Sequence, residues 1–306
     1  VNSIHFRYHG ALTMKKIRIG AYMPSTGDFP AEHGVPEMAT RLEQAGFSSL
    51  WVSDHVVMPS QIQAAYPFAK DKKATWRTDT PWYDAMVILA MVATVTKHVE
   101  LGTAVLVLPL RHPVIFAKQA ATIDALSGGR LTLGVGAGWL SDEFEALEVP
   151  FKTRGKRLDE WIALARNIWT GTPEAFKGVH YNLPPNLMSY PKPTHEIPFL
   201  IGGHSPTALK RASVLGNGWL PQQSAHSIDP AALEESIGMM RNATIAAGNN
   251  PDKYRVVLRI NQSADQTDVV AENLDALSAA GVNDIVVDVN WSVADGPEKA
   301  ASILMG

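Results

Sequence analysis

The sequence contains no cysteine in its 306 residues, which excludes disulfide bonds, thiolate metal ligands and cysteine nucleophiles. It also lacks an excess of one charge. Its 27 basic and 30 acidic residues leave a formal net charge of −3, far from the basic character of nucleic-acid-binding or membrane-surface proteins. Apolar runs stay shorter than the roughly 18 residues of a membrane span, and residues 1–13 lack the apolar core of a signal peptide. These absences predict a cytoplasmic protein that binds neither nucleic acid nor membranes.

Several catalytic motifs are missing as well. The sequence has no G-x-S-x-G nucleophile elbow, no P-loop and no histidine pair with the H-E-x-x-H spacing of a metal site. The glycine-rich stretch GVGAGW (134–139) fails the dinucleotide fingerprint. The third glycine would fall on Trp139 or on Ser141, depending on which glycine starts the count. We therefore expect neither a bound metal ion nor that dinucleotide site.

Strand-like and helix-like segments alternate along a chain with 46% hydrophobic residues, enough for two ordinary domains or one large α/β barrel. The predicted strands cover 16–23, 48–54, 99–108, 130–138, 197–203, 219–222, 254–260 and 284–289. The predicted helices cover 35–47, 84–96, 112–129, 154–171, 205–218, 230–247, 267–280 and 297–304. Because Met14 opens a strand-like stretch, we expect residues 1–13 to be a tail or an alternative start, and residues 14–306 to form one domain.

Eight such units predict an α/β protein with a closed (β/α)8 (TIM) barrel, and an open doubly wound sheet is the alternative. Two segments, 57–81 and 172–196, are longer than ordinary connections. We expect both to be insertions at the C-terminal face of the barrel, where active sites form. The first carries Tyr66, Phe68 and Trp76, followed by Trp82, and is either a pocket wall or a mobile surface insertion.

Polar and glycine-rich motifs follow the predicted strands, where a barrel would bring them to one face. Asp54 and His55 follow the second strand. Imidazole groups titrate near neutral pH and so suit proton transfer, which makes His55 a candidate acid or base, with a structural histidine as the alternative. Asp54 would orient a partner or shape the site. Arg111, after the third strand, would either bind an anion or pair with a carboxylate.

The fifth strand ends in GGHSP (202–206), at the start of a predicted helix. Ser205 suits the N-cap position, and glycines allow another molecule to approach the backbone closely. Free N–H groups at a helix start bind anions, so this loop predicts a phosphate site, with an ordinary capped helix as the alternative. The glycines of GVGAGW either make room for a flat ring or pack closely at a tight barrel end.

Three stretches resemble the bacterial luciferase-like superfamily of flavin and deazaflavin enzymes: LWVSDHV (50–56), LSGGRLTLGVGAGW (126–139) and IPFLIGGHSPTALKRASVLGNGWLP (197–221). The S-D-H at 53–55 is similar to the branch that uses the deazaflavin coenzyme F420. The resemblance implies a TIM barrel, in which Asp54 and His55 are catalytic residues beside the deazaflavin ring. It also implies a non-prolyl cis peptide between Ala104 and Val105, behind that ring.

The same resemblance implies a set of cofactor-binding residues. They are Ala104, Val105, Gly136, Gly138 and Trp139 near the ring, and Gly202, Gly203 and Ser205 at the phosphate. Sugar-phosphate dehydrogenases of the F420 branch carry glutamate where this chain has Trp139, so we expect a more apolar pocket and a hydrophobic substrate. Asp142 and Glu143 follow shortly and offer a carboxylate, but the sequence does not show where either points.

The resemblance therefore implies an F420-dependent oxidoreductase that transfers hydride to or from a small organic molecule. The alternatives are an FMN-dependent monooxygenase that uses reduced flavin and oxygen, and a non-catalytic flavin-binding protein. A separate enzyme that reduces the cofactor is implied as a partner. Relatives in this family are often dimers, so the resemblance implies a homodimer. The apolar helices predicted at 84–96 and 112–129 would pack either against a second copy or against the barrel.

Overall fold

The computed structural model describes residues 16–67, 71–74 and 76–306. Within these residues, eight parallel strands form a closed barrel in chain order, and the eighth strand pairs with the first. The barrel strands are Arg18–Tyr22, Ser49–Val52, Glu100–Val107, Leu131–Gly136, Phe199–Gly202, Gly218–Leu220, Arg255–Asn261 and Asp284–Asp288. The predicted barrel is confirmed and the open sheet is wrong. The expected tail at residues 1–13 lies outside the described residues.

Helices surround the barrel and connect its strands. They are α1 (Val35–Gln44), α2 (Ala85–Val95), α3 (Pro113–Ser127), α4 (Ser141–Ala146), α5 (Arg154–Ile168), α6 (Pro206–Leu215), α7 (Pro230–Ala246), α8 (Thr267–Ala279) and α9 (Gly296–Met305). Only α4 was not predicted, because six residues are too few to show helical periodicity. In the described part of the chain, no helix is both long enough and apolar enough to cross a membrane.

The apolar core has two layers. The larger layer lies between the strands and the surrounding helices, and a smaller cluster fills the barrel interior around the fully buried Trp51. Trp51 lies against Gly102 on the neighbouring strand, where a Cβ atom would approach the indole ring to 2.3 Å. The interior is therefore packed, as in other barrels of this size, and the functional site must lie at a mouth of the barrel.

The prediction for segment 172–196 is wrong about the face on which it lies. The segment connects the end of α5 to the fifth strand, and helix-to-strand connections lie at the N-terminal end of a barrel. The backbone N–H of Thr194 donates to Asp124, near the end of α3, over 3.0 Å. A two-stranded hairpin, Phe176–Lys177 with Asn182–Leu183, packs beside α5, where Glu160 accepts the N–H groups of Val179 and His180. The segment therefore leads into the N-terminal end of the fifth strand, and its hairpin packs along the outside of α5.

A network of four charged side chains closes the N-terminal end of the barrel. Arg255 donates to Glu100 over 2.6 Å and to Asp284 over 2.8 Å, and Arg18 donates to the same two carboxylates over 3.0 and 2.6 Å. Burial raises the pKa of Glu100, but attraction to Arg255 and Arg18 outweighs burial and holds this pKa below its ordinary value. The network therefore favours the ionised form of Glu100 in the folded state.

This depressed pKa predicts a pH-dependent contribution to stability. The contribution of Glu100 is fully present above the unfolded pKa of about 4.3 and is lost as the pH falls through the lower folded value. We expect Glu100→Gln to lower the urea midpoint at about pH 7, and the gap from wild type to shrink below about pH 4. Urea unfolding at several pH values checks this, with the exposed Glu234→Gln as control. A gap that does not change with pH would contradict it.

Candidate active site

His55 follows the second barrel strand and lies in a cage of aromatic rings at the C-terminal mouth. Its side chain is only 9% exposed. Ring centroids lie 4.5 Å away at Trp82, 6.0 Å at Trp139 and 6.4 Å at Trp76. Two of these rings belong to or directly follow the segment 57–81, which therefore forms a pocket wall in this structure. Phe68, predicted for the same wall, lies outside the described residues.

Tyr66 extends the pocket wall across the mouth of the barrel. Its ring lies 5.0 Å from Trp76 and 5.1 Å from Trp139. Its hydroxyl group hydrogen-bonds to the side chain of Gln222, which follows the sixth strand, and burial raises the pKa of Tyr66. The segment 57–81 therefore spans from the second strand to the sixth, over the space in front of His55.

The carboxylate of Glu143 contacts the Nδ1 side of the His55 ring. One carboxylate oxygen lies 2.9 Å from Nδ1 of His55, and the other accepts the backbone N–H of Val56 over 2.7 Å. Glu143 belongs to α4 and is buried. The sequence indicated that Asp142 or Glu143 offers a carboxylate, but the choice between them depends on how α4 packs, which no local pattern shows.

Asp54 is buried beneath His55 in a network of charges. Its side chain has no exposed surface, and its oxygens accept from Arg111 over 2.5 Å and from the backbone N–H of Val107 over 3.1 Å. Arg111 also donates to Asp84, the N-cap of α2, over 3.0 Å. Burial raises the pKa of Asp54, and Arg111 opposes that shift. Of the two interpretations of Arg111, pairing with a carboxylate is the one that the structure shows.

The third strand carries the cis peptide bond that the resemblance implies, between Ala104 and Val105. The side chain of Val105 lies between two glycines: a Cβ atom on Gly136 or on Gly202 would approach it to 2.9 or 2.7 Å. A Cβ atom on Gly138 would likewise approach the side chain of Val107 to 2.7 Å. Close packing of strands three, four and five is thus one role of these glycines. Their contact with a cofactor, like that of Ala104 and Val105, stays a prediction.

The fifth strand leads into α6 through Gly203, His204 and Ser205. Gly203 has a left-handed φ of 106°, which favours glycine, and Ser205 caps the helix by accepting the N–H of Ala208 over 3.2 Å. His204 lies 3.0 Å from the backbone oxygen of Gln222, and burial lowers the pKa of His204. The first turn of α6 carries no acidic residue. The local geometry is therefore compatible with an anion at the start of α6.

Unpaired buried polar atoms lie near the mouth. Among the described residues, Nε1 of Trp76, Nε1 of Trp82 and Oδ1 of Asn261 have no hydrogen-bond partner. Polar atoms buried without partners are costly, so these groups are available to hydrogen-bond with a ligand bound at the mouth. In the same part of the chain, no cluster of three or more His, Asp or Glu side chains has the geometry of a metal site.

A cavity of about 620 Å³ opens beside the aromatic cage, between the ends of the first and eighth strands. Tyr22, Phe29 and Trp291 form its apolar walls, and Asp28, Glu32 and Asp288 give it an acidic lining. Arg259 pairs with Asp288 and offsets the charge of that carboxylate. Tyr22 connects the cavity to the cage, because its hydroxyl lies 2.7 Å from Oγ of Ser53, two residues before His55.

Comparison with known proteins gives relatives over most of the chain. An uncharacterised protein of Mycobacterium tuberculosis is 33% identical over 262 residues, which cover 85% of this chain and 86% of that protein. The F420-dependent glucose-6-phosphate dehydrogenase of Kineococcus radiotolerans is 27% identical over 296 residues, covering 88% of this chain and 82% of that enzyme.

The fold is also shared with a solved structure. An F420-dependent secondary alcohol dehydrogenase, in complex with an F420–acetone adduct, aligns with a TM-score of 0.74 at 20% identity. The alignment covers 94% of this chain and 98% of that one. Residues 14–294 match the family model described as luciferase-like monooxygenase. The chain is therefore an oxidoreductase that belongs to the luciferase-like monooxygenase family.

Proposed function

We propose that this protein is an F420-dependent oxidoreductase that transfers hydride to or from a small, hydrophobic organic molecule. The observation that carries the proposal is a histidine at the C-terminal mouth, enclosed by three indole rings and held from behind by a buried carboxylate. A mouth of this kind suits a flat redox cofactor and a proton-transfer group side by side. The relative named as an F420-dependent dehydrogenase supports this choice of cofactor.

The residues present fit such a cofactor. The unpaired indole N–H groups of Trp76 and Trp82 offer donors to a polar ring, and Trp139 offers an aromatic face. Ala104, Val105, Gly136 and Gly138 would support the ring. A phosphate would lie at Gly202, Gly203 and Ser205, where α6 begins. When bound, F420 supplies the hydride chemistry.

The protein itself supplies proton transfer, orientation and exclusion of water. His55 would hold or release a proton at Nε2, since Nδ1 is engaged by Glu143. Tyr66 and the tryptophans would exclude water from the reacting groups. Asp54 has no exposed side-chain surface and accepts the N–H of Val107 at the end of the third strand. We therefore assign Asp54 a positioning role and keep only His55 as a catalytic residue.

The charge of the cavity argues against a sugar phosphate as the substrate. Two of its lining acids, Asp28 and Glu32, would repel a phosphate there, while the charge of Asp288 is offset by its pair with Arg259. Trp139 adds an apolar face to the same mouth. We therefore propose a substrate without phosphate and with apolar surface, which is a different class from the substrate in the name of the Kineococcus relative.

An FMN-dependent monooxygenase is the second candidate, because the family that matches this chain is described by that activity. A parallel titration of the purified protein with F420 and with FMN, followed by cofactor fluorescence, tests the proposal. We expect tight binding of F420 and no oxygen uptake during turnover. Preferential binding of FMN with oxygen uptake would replace the proposal. In either case, residues 14–306 would act as one domain and rely on a separate enzyme to reduce or reoxidise the cofactor.

The phosphate site can be tested by adding negative charge. Gly203→Asp places a carboxylate where the phosphate would lie and strains a left-handed position, so we expect cofactor affinity to fall by about tenfold or more. Gly248→Asp is the matched control, because Gly248 also has a positive φ but lies at the end of α7 with open space around it. Cofactor titrations of both folded variants give the measurement. Equal affinities would remove the phosphate site from this loop.

A further inference from the structure

We infer that Glu143 is the positioning residue of the site and that it fixes which nitrogen of His55 exchanges the proton. One oxygen of the carboxylate lies 2.9 Å from Nδ1 of His55, and the other accepts the N–H of Val56 over 2.7 Å. The role of this contact in turnover rests on the proposed function. The contact itself, and the form of His55 that it selects, do not depend on any cofactor.

The chemistry of the two groups sets the position of the proton. An ionised carboxylate only accepts hydrogen bonds, and imidazole is in general a stronger base than carboxylate, so the shared proton stays on Nδ1. Neutral His55 is therefore the Nδ1–H tautomer, with the lone pair on Nε2. This is the opposite of the tautomer that predominates in free histidine. When Nε2 takes a proton from the substrate, the buried carboxylate stabilises the positive ring that results.

Other charged groups near His55 cannot replace Glu143 in this role. Asp54 is next to His55 in the chain, but its two oxygens are engaged by Arg111 and by the N–H of Val107. Among the described residues, the ring contacts of the imidazole are with Trp76, Trp82 and Trp139. Indole rings offer no acceptor atom for Nδ1–H.

Glu143 also connects the proton-transfer group to the pocket wall. Val56, whose N–H it accepts, is the residue immediately before the segment 57–81 that forms the wall. A glutamine at this position has one carbonyl oxygen in place of two carboxylate oxygens, so it cannot accept from both His55 and Val56 without losing one bond. Glu143→Gln therefore removes the charge and one of the two hydrogen bonds but keeps the size and shape of the side chain.

Nitrogen NMR of the cofactor-free protein, labelled with ¹⁵N-histidine, is the first experiment. His55→Ala identifies the signals of His55. We expect wild type to show protonated Nδ1 and unprotonated Nε2 in the neutral ring, and Glu143→Gln to lose this signature. Glu145→Gln, an exposed change in the same helix, should keep it. An Nε2–H tautomer in wild type would overturn the inference, even if Glu143→Gln does not fold.

Steady-state kinetics with F420 is the second experiment. We expect Glu143→Gln to lower kcat by about 10- to 100-fold, as for loss of a hydrogen bond to a charged group, with little change in the KM for cofactor. If Glu143 acts through His55, the double variant His55→Ala/Glu143→Gln should be no slower than His55→Ala alone. Additive losses would overturn the inference. If F420 is not bound at all, the proposed function fails and the NMR result still decides the role of Glu143.

Discussion

Replacement of His55 by alanine is expected to lower kcat by about 10²- to 10⁴-fold, the usual loss when an acid–base group is removed. The affinity for cofactor should change little, because the predicted contacts to ring and phosphate come from other strands. The imidazole lies inside the aromatic cage, 4.5 Å from Trp82, where we propose that it transfers the proton. Single-turnover kinetics together with a cofactor titration separates the two effects.

Two comparisons make this result specific. His98→Ala removes an exposed histidine at the opposite end of the barrel and should leave kcat unchanged. His55→Gln keeps a polar side chain of similar length but cannot carry a positive charge, so it should remain close to His55→Ala in rate. Equal turnover in wild type and His55→Ala would remove the catalytic assignment of His55. Cofactor binding without turnover in either protein would favour the non-catalytic flavin-binding protein.

Replacement of Arg111 by methionine is expected to destabilise the fold by about 3–5 kcal/mol, the range for removing one partner of a buried ion pair. Asp54 would then be a buried carboxylate that keeps only the N–H of Val107. Burial already raises the pKa of Asp54, and loss of Arg111 would raise it further, so protonation should partly relieve the variant. We therefore expect its stability deficit to shrink as the pH falls. Urea unfolding at several pH values measures this.

A second variant distinguishes charge from packing at Arg111. Adding Asp54→Asn removes the stranded carboxylate, so Asp54→Asn/Arg111→Met should recover part of the stability lost in Arg111→Met. The control is Arg77→Met, which breaks an exposed pair with Asp79 and should change stability little. A double variant as unstable as Arg111→Met would show that packing of the long side chain, and not its charge, determines the stability loss.

The barrel was predictable because each of its strands and helices has a recognisable local pattern of apolar residues. Every predicted strand overlaps an observed one, since buried parallel strands appear as short apolar runs between glycines and helix starts. The face of segment 172–196 was not predicted correctly, because length alone does not tell a strand-to-helix connection from a helix-to-strand one. Position in the strand–helix order does, and it places this segment at the N-terminal end.

The sequence identified His55, Asp54 and the aromatic wall, but not the partners of the two ionisable groups. His55 stands out locally because an ionisable group follows an apolar strand. Its contacts come from far along the chain: Glu143 is 88 residues away, and the partner of Asp54, Arg111, is 57 residues away. Which carboxylate of α4 faces inward depends on the rotation of a six-residue helix, set by tertiary packing. Gly136 and Gly202 make room for Val105, and Gly138 makes room for Val107, whereas their contact with a cofactor stays a prediction.

The charged network at the N-terminal end of the barrel has a consequence for how this chain can be divided. A cut between the fourth and fifth strands would give two half-barrels, one with Arg18 and Glu100, the other with Arg255 and Asp284. Each half carries one cation and one anion, and the pairs Arg18–Asp284 and Arg255–Glu100 form only between halves. Two of the four ion pairs of the network would therefore form only when the two fragments reassociate, whereas Arg18–Glu100 and Arg255–Asp284 could form within the separate halves.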